Sequence, residues 1–143
     1  MLAFLLILLF TTTDQTRIMH YNGSEVRTTF AVDNKFYGEY KGRKAGYLIL
    51  NQDGTGIYSY DVFGFAPAGC KKQPITIEWG FLIDDDDKVV SFDRAYGLSY
   101  PVLLKSTGET KFQGCQKEVV LDFIMEYKNG QLGVSSSDDW IKN

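Results

Sequence analysis

The chain has 143 residues, one domain's worth of sequence, and its 44% hydrophobic and 23% charged composition is that of a folded rather than a disordered protein. A formal net charge of −3 gives no global electrostatic reason to bind nucleic acid or an anionic membrane. One His and two Cys are too few for an ordinary structural zinc site, and neither a metal nor a cofactor is expected.

In chain order, the first feature is an apolar run from Met1 to Phe10, followed by polar Thr11–Gln15. As a helix that run spans roughly 15 Å, half a bilayer core, so it cannot cross a membrane alone. Its length suits the apolar core of a secretory leader. No basic residue precedes it and no Ala-x-Ala site follows, and a buried first strand or helix is the competing reading. The division expected is a leader over 1–14 and a single domain over 15–143, with the product exported to the periplasm or the extracellular space.

Asn22-Gly23-Ser24 fits an N-glycosylation acceptor. Asn-Gly is equally the strongest two-residue hairpin turn, here between Arg17–Tyr21 and Ser24–Val32. Beyond it, two-residue alternation dominates and helical spacing is hard to find. Aromatic residues make up 15% of the chain, with three Pro and fourteen Gly, which favours strands joined by tight turns.

Strands are predicted over Phe36–Tyr40, Gly46–Leu50, Gly56–Phe63, Ile75–Ile83, Lys88–Phe92, Ser99–Lys105, Val119–Tyr127 and Leu132–Ser135. Ile75, Ile77, Trp79, Phe81 and Ile83 share one face of the longest, with Thr76, Glu78 and Gly80 opposite. Asp84–Asp87 reads as the acidic tip of a hairpin whose second arm is Lys88–Phe92. Short connections between alternating strands make an antiparallel meander, because parallel neighbours need long crossovers. About eight strands would leave two bare edges unless they close into an up-and-down barrel. An open sandwich is the rival.

Phe36-Tyr37-Gly38-Glu39-Tyr40 resembles the Gly-x-Trp lead-in to the first barrel strand of lipocalin-like (calycin) domains, with Tyr40 at the Trp position. Leu48–Tyr58, with Asp53-Gly54 in its turn, is similar to the second hairpin of small bacterial members. The resemblance covers residues 34–143 and implies a small exported barrel that binds an apolar ligand. It implies no particular ligand.

Catalysis finds little support. His20, the only His, lies outside the clear strands, so a His-dependent triad is not expected. Glu78, Asp93, Asp122 and Glu126 fall on polar faces, where a solvated carboxylate is ordinary. A glycan-acting enzyme would therefore lack an identifiable acid/base pair. Asp84–Asp87 could attract calcium, but adjacent carboxylates in a tight turn diverge, and a solvated tip is the simpler reading.

Val90, Phe92, Arg94 and Tyr96 alternate. If that face points inward, Arg94 enters the barrel and needs a partner or an anionic ligand. A bend near Ala95-Tyr96-Gly97 would turn it outward instead. Cys70 and Cys115 form an even pair that reads as a disulfide in an exported protein, with a thiol activated by nearby Lys as the alternative. The strand count places Cys70 after strand three and Cys115 after strand six, at opposite barrel ends. They meet only if a strand has been miscounted or Cys115 lies partway along one.

The leading expectation is a non-enzymatic exported barrel binding a small hydrophobic molecule against Trp79, Phe81, Phe92, Arg94 and Phe123. The alternative is an interaction or structural module whose barrel is filled by its own side chains. No nucleic acid and no stable membrane span is expected, and no protein partner is specified.

Overall fold

The computed structural model describes residues 15–42, 46–59, 74–95, 97–108, 120–133 and 140–142. The expected leader over 1–14 and the two cysteines, Cys70 and Cys115, lie outside them.

An Asn-Gly turn opens the described fold. Strands β1 (Thr16–Tyr21) and β2 (Ser24–Thr29) pair through a turn in which Asn22 and Gly23 both have positive φ, 49° and 76°. Asn and Gly tolerate that conformation, and its twist matches the flanking strands. A 3-10 turn at Asn34–Phe36 follows, started by the Asp33 carboxylate accepting from Lys35 N at 3.0 Å.

The remaining strands are β3 (Gly38–Lys41), β4 (Tyr47–Leu50), β5 (Thr55–Tyr58), β6 (Ile75–Leu82), β7 (Phe92–Arg94), β8 (Gly97–Ser106), β9 (Asp122–Lys128), β10 (Gln131–Gly133) and β11 (Trp140–Lys142). Every pairing is antiparallel. The ring runs β3, β4, β5, β6, β8, β9, β10, β11 and returns to β3 through Ile141 opposite Lys41 and Lys142 opposite Tyr40. It is an eight-stranded up-and-down barrel, as alternation predicts, and is consistent with a calycin-like barrel. No helix among the described residues is long and apolar enough to cross a membrane.

Pleating sorts the side chains. Ile75, Ile77, Trp79, Phe81 and Ile83 are all buried, while Thr76 is exposed. Phe36, Tyr40, Leu48, Leu50, Tyr58, Val102, Leu104, Met125, Tyr127 and Leu132 complete the core, and facing strands close one apolar mass.

Two strands differ from expectation. Lys88–Phe92 is not a barrel strand: Val89 makes a single bridge to Ile83, and β6 pairs directly with β8 from Ile77–Ser106 to Phe81–Val102. That direct pairing sets Trp79 and Phe81 beside Leu104 and Val102 on the inner face. The acidic turn is left as an excursion, held by Asp86 N and Lys88 N donating to the Asp84 carboxylate. β7 beyond it pairs only with the outer end of β8. The eighth barrel strand is instead β11, three residues long and preceded by the polar stretch Ser135–Asp139.

The correction changes the strand count. β8, the strand before Cys115 in the sequence, is the fifth of the barrel rather than the sixth, so β8 and β5, the strand before Cys70, finish at the same barrel end.

β6 also forks. β5 pairs with its first half, up to Thr55 opposite Glu78, and β2 takes over at Phe81 and Leu82. Gly80 lies where the N-terminal hairpin crosses the barrel wall: a Cβ there would sit 2.6 Å from Thr28 Oγ1. Only glycine fits that approach.

Candidate functional site

The barrel interior is the apolar core of the described residues, and its two ends are built from different residues. At one end the 3-10 turn inserts Phe36. Its ring meets Tyr127 at 4.5 Å, Phe81 at 4.8 Å and Tyr100 at 5.8 Å between centroids, all edge-on. Tyr40 Oη donates to the Phe36 carbonyl at 2.6 Å, fixing the turn from within. Lys142 Nζ donates to the carbonyls of Lys35 and Asn34 from the last strand. Tyr37 Oη donates to Phe30 O at 2.7 Å, tying the preceding segment down as well.

Trp79 joins this end to the β4–β5 turn. Its Nε1 donates to Thr55 O at 2.9 Å and Asn51 O at 3.2 Å, so the buried indole has no unpaired donor. Arg17 fills the fork between β5 and β2. Its Nη2 donates to Gly54 O at 2.6 Å and also to Trp79 O, and its guanidinium lies 5.1 Å from the Phe30 ring centroid. Burial lowers the Arg17 pKa from its usual value, opposed by the nearby charges of Glu78 and Asp53. Gly54, at φ 80°, leaves room for this: a Cβ would lie 2.7 Å from the Phe30 ring.

At the other end β3, β5, β8 and β10 finish and β4, β6, β9 and β11 begin. Its described lining is Leu48, Tyr58, Ile75, Leu104, Leu121 and Phe123. The rings of Tyr58 and Phe123 meet edge-on at 5.8 Å. Ser106 Oγ receives Leu121 N at 2.9 Å and holds the start of β9. Leu121 and Phe123 face inward yet are only partly buried, whereas Trp79 and Phe81 have no exposed surface. Burial raises the hydroxyl pKa of both Tyr40 and Tyr58, so each stays a neutral hydroxyl.

Of the residues expected to contact a ligand, Trp79, Phe81 and Phe123 share this interior. Phe92 and Arg94 do not. Both sit on β7, outside the ring, where Phe92 is 44% exposed and Arg94 Nη2 pairs with Glu126 Oε1 at 2.8 Å. The cause is the excursion at 83–91, which moves this segment off the barrel wall. The inward Arg94 on which an anionic ligand depended is therefore not the arrangement found.

Glu126 lies on the outer face of β9, between inward Met125 and Tyr127. It also accepts from Ser99 Oγ at 2.6 Å, and that bond, with Arg94, holds its carboxyl below the usual range. Glu78 faces outward too, 3.7 Å from Arg17. Asp93 and Asp122 are exposed, as is His20 on β1. Asp87 pairs with Arg27.

Sequence reading overlooked Tyr58, Ile75 and Leu48 as lining of this second end, although alternation in their strands already set them on inward faces. It overlooked Arg17 entirely, because nothing local marks a side chain whose partners are carbonyls 37 and 62 residues away. The chain matches no protein-family model, no curated protein and no solved structure, so its function is read from this geometry alone.

Proposed function

We propose that the protein is a non-enzymatic, exported, lipocalin-like barrel that takes a small, mostly apolar molecule at its open end. The observation that carries the reading is the difference in burial along one interior. Trp79 and Phe81 form a sealed floor, while inward-facing Leu121 and Phe123 keep part of their surface accessible. An apolar molecule seated on Phe123 and Tyr58 would cover that surface, and burial of apolar area is favourable at about 25 cal/mol per Å². The Met1–Phe10 run supports export.

A second reading has its own observation. Leu50, Trp79, Phe81, Val102 and Met125 occupy the closed half completely, as in a barrel filled by its own side chains and used for its outer surface.

Titration with the neutral dye N-phenyl-1-naphthylamine separates the two. The carrier reading expects saturable fluorescence enhancement that Phe123→Ala weakens about tenfold, the loss of one stacked ring. No enhancement with folded protein leaves the filled-barrel reading in its place.

A further inference from the structure

We propose that Asn22, at the tip of the N-terminal hairpin, is a site of spontaneous covalent modification, losing its side-chain amide to become aspartate or isoaspartate, while the matching Asn129 is spared. The chain holds two Asn-Gly pairs, Asn22-Gly23 and Asn129-Gly130, each in a two-residue turn with the same φ of 49° at Asn. The reaction is intramolecular. The Gly backbone nitrogen attacks the Asn side-chain carbon Cγ, a new C–N bond forms, the bond from Cγ to the amide nitrogen breaks, and ammonia leaves with the Gly N–H proton. Water then opens the cyclic imide at either carbonyl, giving aspartate or isoaspartate. Glycine has no side chain to hinder the attacking nitrogen. In the left-handed conformation of both Asn residues that nitrogen points away from Cγ, so the turn must open before it reacts. The rate therefore follows the cost of opening each turn.

The two turns differ in what holds them closed. Asn129 joins β9 to β10, both walls of the ring and each paired on two sides. The pair one step from that turn, Tyr127 and Leu132, is buried, and Phe36 packs on Tyr127 at 4.5 Å. Lys142 N donates to Gly130 O at 3.1 Å, and a Cβ at Gly97 would lie 3.6 Å from Asn129 Oδ1, so this turn rests against β11 and the start of β8. Asn22 instead joins β1, the edge of the sheet, to β2, which reaches β6 only at Thr28 and Thr29. Asn22, Gly23, Ser24 and Glu25 are all exposed, as is His20 opposite Glu25. Lys105 Nζ, donating to His20 O at 2.8 Å, ties this arm to the barrel wall just short of the turn. Modification adds a carboxylate near Glu25 and, as isoaspartate, one extra backbone atom within the turn. It alters the N-terminal hairpin and leaves the ring of the barrel as it is.

The test ages the folded full-length protein in mildly alkaline buffer and follows both sites by peptide mass spectrometry, with isoaspartate counted by an isoaspartate-specific methyltransferase. In denaturant, where neither turn exists, the two sites should react at similar rates. In the folded protein Asn22 should react at least about tenfold faster than Asn129, the ratio that a difference of about 1.4 kcal/mol in opening cost gives. Lys105→Met, which releases His20 O, should speed Asn22 further and leave Asn129 unchanged. Equal rates at the two sites in the folded protein overturn the proposal. So does an Asn22 that stays intact over a period in which the denatured chain converts fully.

Discussion

At the closed end, Phe36, Phe81, Tyr100 and Tyr127 meet edge to face, and Tyr40 Oη and Lys142 Nζ bind the carbonyls of the turn that carries Phe36. At the open end, Tyr58 and Phe123 make one ring contact, and Ser106 Oγ holds the backbone of Leu121. The same strands supply both ends. Among the described residues, the first end is finished by the chain's own rings and hydrogen bonds, while at the second Leu121 and Phe123 are only partly buried. On the carrier reading proposed above, the difference separates stability from binding along a single axis: the end with the most buried partners is the less suited to admit a ligand.

Truncation at each end should expose that separation most strongly. Phe36→Ala removes a buried ring with three aromatic neighbours and should cost about 3–5 kcal/mol, while Leu121→Ala, partly exposed, should cost about 1–2 kcal/mol. Urea unfolding midpoints read both. Leu121→Ala should in addition weaken dye binding, and Phe36→Ala, where folded, should bind dye with near-normal affinity. Equal stability losses at the two ends would remove the distinction.

The open end should carry its own staple. Pro74, before β6, and Gly108, after β8, each adjoin a cysteine-bearing segment and flank paired strands. Thr107 N donates to Thr76 O at 2.9 Å, and a Cβ at Gly108 would lie 3.2 Å from Thr76 Oγ1. We predict a Cys70–Cys115 disulfide on this topology. Closing a loop of about 46 residues would add up to about 4 kcal/mol. Intact mass with and without reductant should differ by two hydrogens, and reduction should lower the unfolding midpoint. An unchanged mass in protein from an oxidising compartment would rule the bond out.

The barrel itself was legible in the sequence because a period of two leaves little freedom. Once Ile77, Trp79 and Phe81 share a face, that face must be covered, and Asn22-Gly23, Asp53-Gly54 and Asn129-Gly130 mark where the chain reverses. What alternation cannot decide is which apolar run becomes a wall. Lys88–Phe92 alternates as well as β11 does, yet the first was displaced when β6 found β8 directly. Trp140–Lys142 was too short to signal anything, and it closes the ring. The candidate site followed the same division. Trp79, Phe81 and Phe123 came from parity, which is local. Phe92 and Arg94 were misplaced because their wall did not form, and Arg17 acts through distant backbone oxygens.

The smallest expected effect lies on the outer wall, where it isolates charge from the interior contrast. Glu126 accepts from Ser99 Oγ and from Arg94, and both bonds hold its carboxyl below its ordinary value of 4.5. A carboxyl lowered in the folded state binds fewer protons there than in the unfolded chain at the same pH. Its stabilisation is therefore complete above its ordinary value and is lost as pH falls through the folded one. Unfolding midpoints should decline below about pH 4.5, with Asp53, held low chiefly by Thr55, contributing to the same slope. Ser99→Ala removes the larger cause at Glu126, so the Glu126 carboxyl should titrate closer to its ordinary value, and the decline should flatten while keeping the Asp53 share. Because Glu126 is largely solvated, the stability lost near neutral pH should stay under about 1 kcal/mol. Carboxyl NMR titration of the two proteins reads the shift directly. A Glu126 value unmoved by Ser99→Ala would assign its lowering to Arg94 alone, and dye binding at the open end should be the same in both proteins.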